Sequence, residues 1–179
     1  MLDWINSNIS LETLIWLFPI TFILHDFEEI IFVELWFKKN YARLEPMVPK
    51  RMKSVFQDLS ETTAARFSIP VFMQFIVYIV ASFLVVEHQF YDAFLGLNVL
   101  LFLHVFTHLG QSVFFRCYTL GVGTALLITL PFSLYLFYRL INETIIGFDD
   151  LIFSLPYGLI TILIVWTGHK IVPKILPYN

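Results

Sequence analysis

Four ionisable residues lie close together in an otherwise apolar part of the chain. The stretch reads His25-Asp26-Phe27-Glu28-Glu29, inside an apolar segment that runs from Leu11 to Phe37. On a helix, His25, Glu28 and Glu29 occupy positions i, i+3 and i+4, so their side chains project from one face. An imidazole and two carboxylates on one face can hold a divalent metal, pass protons or pair with cations.

A pair of histidines lies at a matching position further along the chain. His104 and His108 stand at i and i+4 in the middle of another apolar segment. His25 lies thirteen residues before Lys38, and His104 lies twelve residues before Arg116, which are the first basic residues after their segments. If both segments are helices that cross a membrane in the same direction, the two pairs match in depth to about 1.5 Å. We therefore expect these two helices to meet.

These residue types predict a metal site with four ligands: His25, Glu29, His104 and His108. Imidazole and carboxylate ligands suit zinc, which is the expected metal, and they also suit iron. The first motif has the spacing of the H-x-x-E-H pattern, in which the Glu at the fourth position activates water. By this analogy Glu28 is the general base. Asn98, six residues before His104, is expected to orient a substrate, and an interhelical hydrogen bond is the alternative role for it. The alternative is a hydrogen-bond network that only fixes the packing of the helices.

The composition is that of a membrane protein. Of the 179 residues, 58% are hydrophobic and only 14% are charged, which is far from the average of soluble domains. We predict an all-α, polytopic membrane helix bundle that forms a single transmembrane domain over residues 1–179. Five spans are expected, at about residues 11–37, 67–86, 93–115, 118–140 and 151–169. The single Cys117 excludes an internal disulfide and a site with several cysteine ligands.

Basic residues lie almost entirely on one side of the predicted membrane. Of the eleven Lys and Arg residues, only Arg139 lies on the opposite side. The positive-inside rule then places the N-terminus outside and the C-terminus inside the cell. The first loop, residues 38–66, is therefore cytoplasmic, and it is expected to be an amphipathic helix on the membrane surface or a solvated turn. Its apolar residues recur at helical spacing: Met52, Val55, Phe56 and Leu59.

The motifs resemble those of a family of bacterial membrane proteins of unknown function that is named for the motif HXXEE. Residues 25–29 supply that motif, and residues 103–111 look like the second motif of the family, with Asn98 upstream. Further similarities follow in the next two segments, so the resemblance covers most of the chain: Arg116, Tyr118, Gly121 and Pro131. Two positions depart from the pattern, Leu120 in place of a proline and Gln74 in place of an acidic residue. The resemblance implies no named reaction.

The favoured function is that of a metal-dependent hydrolase embedded in the plasma membrane, acting on a lipid or another membrane-partitioned substrate. Proton- or cation-coupled transport is the alternative, because buried Glu and His residues can pass protons or bind a cation at mid-membrane. However, the five predicted spans show no repeat of the kind that many transporters have. A non-enzymatic accessory or immunity protein is the third reading. No nucleic-acid motif is present, so the expected partners are membrane lipids and a small hydrophobic substrate.

Overall fold

A computed structural model describes residues 2–176, with side chains from Trp4 onward. The described residues form helices joined by short turns, with no β-strand among them, and this confirms the predicted all-α fold. The helices are α1 Leu2–Asn8, α2 Leu11–Leu44, α3 Lys53–Ser60, α4 Ala64–His88, α5 Tyr91–Phe115, α6 Val122–Thr124, α7 Leu130–Asn142, α8 Phe148–Phe153 and α9 Leu155–Ile175. A π-helical turn, Ala125–Thr129, joins α6 to α7.

Four helical segments among the described residues are long and apolar enough to cross a membrane. They are Ala64–His88, Tyr91–Phe115, Val122–Asn142 and Phe148–Ile175. Many of their large apolar side chains point outward, where they suit contact with lipid; Leu127 and Phe153, for example, are 80% and 75% exposed. Helix α2 is not among the four, because its apolar run is interrupted by the acidic residues of the first motif. The count of five spans and the N-outside orientation therefore stay predictions.

Several ends of the long helices differ from those of the predicted spans, because local caps as well as apolar runs determine where a helix begins and ends. Thr63 accepts a hydrogen bond from the backbone N–H of Arg66 at 3.3 Å, so α4 begins three residues before the predicted span. Helices α4 and α5 end at Gln89 and Arg116, which adopt left-handed φ values of 55° and 51°. The connection between α4 and α5 is consequently short, and the two helices are neighbours.

The predicted amphipathic helix in residues 38–66 is present, but only as α3, because α2 continues through Leu44. Phe56 of α3 packs against the bundle, with its ring stacked on Tyr41 at 5.5 Å and tilted against Phe115 at 6.1 Å. Met52 and Val55 remain 51% and 54% exposed. The apolar residues of this segment are thus divided between the bundle and the surface, and contact with a membrane surface stays a prediction.

An aromatic core fills the half of the bundle that precedes His25 in α2. Phe18 stacks on Tyr78 of α4 at 4.4 Å and meets Phe94 of α5 edge-on at 5.3 Å. Ser82, one turn after Tyr78, donates a hydrogen bond to the backbone oxygen of Ile15 at 3.1 Å. Both Tyr78 and Ser82 are fully buried. Tyr78 and Ser82 are four residues apart, so they lie on one face of α4, and this face points to the interior of the bundle.

Close helix crossings place α5 beside the other long helices. A Cβ atom on Gly96 would overlap the backbone oxygen of Ser154 and lie 2.7 Å from the backbone nitrogen of Gly158, so α5 and α9 approach closely there. Helix α4 packs against both α2 and α9. Helices α2 and α5 meet mainly through side chains, and the π-helical turn packs against both of them. This arrangement directs one face of α5 toward the motif in α2.

Candidate functional site

Three histidines and a carboxylate gather where α2 faces α5. His25 and Glu29 belong to α2, and His104 and His108 belong to α5. Each residue offers one potential ligand atom, and these four atoms all lie within 4.8 Å of one another. His25 and His108 are only 2% and 3% exposed, whereas His104 has an exposed surface. The structure thus brings together the four residues that the sequence predicts as metal ligands; we call them the His/Glu group.

The shortest separations in the His/Glu group involve His108. Its Nε2 atom lies 2.8 Å from Nε2 of His104 and 3.3 Å from Oε1 of Glu29. The His25 ring stands edge-on to the other two imidazoles, with its centroid 4.9 Å from that of His108 and 5.8 Å from that of His104. A tetrahedral zinc ion separates its ligand atoms by roughly 3.3 Å. Small side-chain shifts would therefore suffice for the group to hold such an ion.

Thr107 orients His104. Its Oγ1 atom lies 2.7 Å from the backbone oxygen of His104 and 3.1 Å from Nδ1 of the same residue. The hydroxyl has one hydrogen and the backbone oxygen can only accept, so the hydroxyl donates to that oxygen and accepts from Nδ1–H. This pattern assigns the imidazole hydrogen of His104 to Nδ1. Its Nε2 atom then presents a lone pair to the group, as a neutral histidine ligand must.

Thr124, at the end of α6, orients His25 in the same way. Its Oγ1 atom lies 2.6 Å from Oε2 of Glu28 and 3.0 Å from Nδ1 of His25. The carboxylate accepts only, so the hydroxyl donates to Glu28 and accepts from Nδ1–H of His25. The backbone N–H of Thr124 donates to the same carboxylate oxygen at 2.8 Å. Glu28 therefore holds His25 through Thr124 and does not itself stand in the His/Glu group.

Tyr118 is a further partner of Glu28. It lies in the turn between α5 and α6, and its hydroxyl donates a hydrogen bond to Oε1 of Glu28. Its backbone oxygen accepts a hydrogen bond from Nε1 of Trp36 at 2.8 Å, which ties this turn to α2. Partial burial, followed by the hydrogen bond to Glu28, raises the pKa of Tyr118 to about 12. The hydroxyl consequently keeps its hydrogen and donates to Glu28 throughout the neutral pH range.

Gly121 closes one side of the His/Glu group. Its φ of +77° lies in the left-handed region that favours glycine. A Cβ atom at this position would lie 2.5 Å from Oε1 of Glu29 and 2.5 Å from Cε1 of His108. The backbone of the turn before α6 can therefore pack against both side chains only because residue 121 is a glycine.

Asp26 and Asn98 lie outside the His/Glu group. Asp26 is half-buried and lines a cavity together with Gln74 and Tyr78. Asn98 is fully buried, and its Nδ2 atom donates to the backbone oxygen of Phe94 at 2.8 Å. It precedes His104 by six residues, about 9 Å along the helix. No contact with the group supports a substrate-orienting role for Asn98, and that role stays a prediction.

Among the residues that the structure describes, two cavities open beside the His/Glu group and a third opens beside Glu28. Cavity A has a volume of about 510 Å³, cavity B of about 570 Å³ and cavity C of about 880 Å³. Cavities A and B both include Glu29, Phe67 and His104 in their walls. Cavity C is lined by Glu28 and by polar side chains such as Lys39. The His/Glu group is therefore reached from two largely apolar spaces, whereas Glu28 adjoins a more polar space.

Three residues that position the site are absent from the predicted set of ligands and catalytic residues: Thr124, Tyr118 and Gly121. The sequence indicates Tyr118 and Gly121 only through the family resemblance. Thr124 resembles an ordinary packing residue in an apolar span. The three residues share a position in the sequence, because all of them follow the end of α5 within nine residues. A polar turn directly after the second histidine motif could have indicated them.

These features define the class of the protein as a helical bundle with helices that can span a membrane and with a His/Glu group that can hold a metal ion. Over residues 16–136 the chain matches the family described as proteins of unknown function with an HXXEE motif. Because this match covers more than half of the chain, the protein belongs to that family, which confirms the resemblance seen in the sequence. Comparison with curated proteins and with solved structures gives no match.

Proposed function

We propose that the protein is a membrane-embedded, metal-dependent hydrolase that acts on a lipid or another substrate that partitions into the membrane. The observation that carries this proposal is the convergence of the four ligand-type side chains of the His/Glu group. Two of its imidazoles, His25 and His104, are held by threonine hydroxyls with Nε2 directed toward the group. Such preparation of histidine ligands by hydrogen bonds to the other ring nitrogen is typical of metal sites.

The donor set decides which metals suit the site. Three imidazole nitrogens and one carboxylate oxygen fit zinc, and iron is the alternative. When bound, a divalent cation would make water a stronger nucleophile and polarise an oxygen of the substrate. Catalytic metal sites keep one side open, and His104, which lines cavities A and B, marks that side.

Glu28 is the proposed general base. The Glu28 carboxylate accepts hydrogen bonds from the Tyr118 hydroxyl and from the hydroxyl and the backbone N–H of Thr124, which hold it in one orientation. Glu28 also lines the polar cavity C, which gives the carboxylate access to water. The same residue thus orients His25 through Thr124 and can take up the proton that hydrolysis releases.

In this proposal α2 crosses the plasma membrane in addition to the four apolar segments, so the chain has five spans. The N-terminus is then outside and the C-terminus inside. The helix has 34 residues, and the first motif lies near its middle. At that depth ionisable side chains are costly, at roughly 2.5 to 3.5 kcal/mol each on insertion scales, and are therefore usually functional. Partners on α5 and the α6 turn provide the compensation.

Metal analysis of the purified protein, prepared without a polyhistidine tag, tests the proposal. We expect about one zinc or iron ion per chain, and its loss when any member of the His/Glu group is changed to alanine. His88→Ala is the matched control, because His88 lies at the end of α4 and contacts Phe83 rather than the group. Wild-type protein that carries no metal above background, even after reconstitution, would leave coupled transport as the better explanation.

Separate substitutions of Glu28 and Glu29 distinguish the metal ligand from the general base. Glu29→Gln should lose metal, because Glu29 lies 3.3 Å from His108 and contributes directly to the group. Glu28→Gln should keep the metal while hydrolysis slows by about 10² to 10⁴ fold. The opposite pattern of metal retention would keep the enzyme proposal but exchange the roles of the two residues.

A further inference from the structure

Cavities A and B meet at one set of side chains. Glu29, Phe67 and His104 belong to the walls of both cavities, and His108 lines cavity A as well. His104 has an exposed surface although its imidazole lies 2.8 Å from that of His108. A bond placed where the two cavities join would therefore lie beside three of the four members of the His/Glu group.

The two cavities extend from Glu29 in opposite directions along α2. Cavity A follows α2 forward to Phe37, eight residues or about 12 Å away. Cavity B follows α2 backward to Phe22, seven residues or about 10 Å away. The other walls of cavity A come from residues 48–59 and α5, and those of cavity B come from α4, α5 and α9. The two cavities therefore extend from the same polar side chains in opposite directions along α2.

Both cavities are largely apolar. Cavity A is lined by Val33, Phe37, Phe56, Leu59 and Phe115. Cavity B is lined by Phe22, Val71, Leu101, Ile162 and Trp166. Each cavity alone has the volume of a small-molecule site, and walls of this kind favour hydrocarbon over water.

We propose that the substrate is a neutral lipid in which an ester or amide bond joins two hydrocarbon arms. One arm occupies cavity A, the other occupies cavity B, and the scissile bond lies at His104 and Glu29. This inference rests on the proposed function, because it names the substrate class of the same site. A neutral lipid suits the site, because His25 and His108 are only 2% and 3% exposed and a charged head group beside them would lose its hydration.

Polar side chains in cavity B provide further recognition near the scissile bond. Asp26 and Thr107 line this cavity together with His104. Further along α4, Gln74 donates a hydrogen bond to the hydroxyl of Tyr78 at 2.6 Å. A carboxyl group in an apolar cavity needs a hydrogen-bond partner, so the lipid is expected to carry a hydroxyl or amide N–H next to the bond that is cleaved.

Hydrolysis of such an ester consumes one water molecule. The water oxygen bonds to the carbonyl carbon, the acyl C–O bond breaks, one proton is taken up at Glu28 and a proton is returned to the leaving alcohol. The products are a fatty acid and an alcohol, and each keeps one hydrocarbon arm. Each product can then leave through the cavity that held its arm.

Cavities A and B each have a tryptophan in their walls, and this makes the proposal testable by fluorescence. Trp36 lines cavity A and Trp166 lines cavity B. Two reporter proteins are made in which Trp4, Trp16 and one of the two cavity tryptophans are changed to phenylalanine. The probe is an ether-linked dialkylglycerol with brominated chains, which quenches tryptophan on contact and cannot be hydrolysed. We expect saturable quenching of both reporters at one probe per chain.

Filling one cavity distinguishes a two-armed ligand from two separate ligands. Gly110 lines cavity A, and a Cβ atom there would meet no other heavy atom within 4 Å, so Gly110→Phe adds a ring to this cavity. Val165→Phe does the same in cavity B. If one lipid occupies both cavities, filling one cavity also lowers the probe affinity that is measured by the tryptophan in the other cavity. We expect a loss of affinity of about ten-fold or more, and ten-fold is equivalent to 1.4 kcal/mol. Val113→Phe and Leu163→Phe, which add the same ring to outward-facing positions of α5 and α9, should leave both signals unchanged.

Two results would overturn the proposal. One is saturation at two probes per protein chain, with each filling variant affecting only the tryptophan in the cavity that it fills. This result would show two independent sites that each bind one hydrocarbon chain. The other is absence of saturable quenching in both reporters although metal binding is normal, which would reject the lipid while leaving the metal site intact. Conversely, saturable quenching of both reporters in a protein without metal would reject the hydrolase and retain the two-armed ligand. Metal content of the filling variants, expected to equal that of wild type, shows that they are folded.

Discussion

The Oγ1 atom of Thr124 lies 3.0 Å from Nδ1 of His25, although the two residues are 99 positions apart in the chain. The same hydroxyl donates to Glu28 at 2.6 Å, so one threonine connects the acidic motif of α2 with the start of the π-helical turn. This contact determines which nitrogen of His25 carries hydrogen. It also shows that the HXXEE motif is completed by a residue from a distant segment of the chain.

Thr124→Val is expected to lower metal affinity by about 10 to 100 fold, as is typical when a hydrogen-bond partner of a ligand is removed. Valine keeps the shape of threonine, but it cannot accept from Nδ1–H of His25. Affinity is measured by competition with a chelator. The control is Thr129→Val in the π-helical turn that follows Thr124, because the buried Oγ1 of Thr129 has no hydrogen-bond partner among the described residues. Equal losses of affinity in both variants would mean that the orienting contact has no special role.

Gly121→Ala should disturb the site by two routes. Its left-handed backbone costs an alanine about 1 to 2 kcal/mol, and the added methyl group would press on Glu29 and His108. We expect a lower thermal midpoint together with a loss of metal. Gly110→Ala is the matched change on α5, where the methyl group has free space; its effect should be neutral or stabilising by up to about 1 kcal/mol. A Gly121→Ala protein with normal metal content would contradict the close packing described here.

Tyr118 should ionise only at strongly alkaline pH. Its pKa in the folded protein is about 12 against 10.0 for a free tyrosine, so the folded form binds this proton more tightly than the unfolded form does. The stability that this provides is complete below pH 10 and is lost as the pH rises from about 10 to 12. The ultraviolet absorbance of ionised tyrosine, compared between wild type and Tyr118→Phe, reports this titration. A difference spectrum that develops at pH 10 or below would show that the contact with Glu28 does not hold.

Reporter fusions at the two termini should appear on opposite sides of the membrane, with the N-terminus outside. This follows if α2 crosses the membrane in addition to the four apolar segments, because an odd number of spans separates the termini. A third fusion in the loop after α3, expected inside, serves as the reference. If the N-terminus lies on the same side as that loop, α2 does not span, and the argument from matched depth falls with it.

Local periodicity accounts for what could be predicted. Positions i, i+3 and i+4 share a helix face whatever surrounds the helix, so the pairs His25/Glu29 and His104/His108 could be recognised directly. Apolar length predicted the long helices, although several of their ends differ from the prediction, because a cap such as Thr63 depends on a local hydrogen bond and not on apolar length. The matched distance to the first basic residues predicted that the two pairs would lie together, and the structure brings them within 4.8 Å.

The sequence by itself determined the helical class, the family motif and the identity of the His/Glu group. Only the tertiary structure decided how Glu28 is used, because its partners Tyr118 and Thr124 lie 90 and 96 positions away. No periodicity relates such distant residues; their contact depends on how the turn after α5 folds back onto α2 around Gly121. Cavities A and B likewise depend on tertiary packing. They lie on either side of Glu29 and His104, between four helices and residues 48–59, where the side chains leave space.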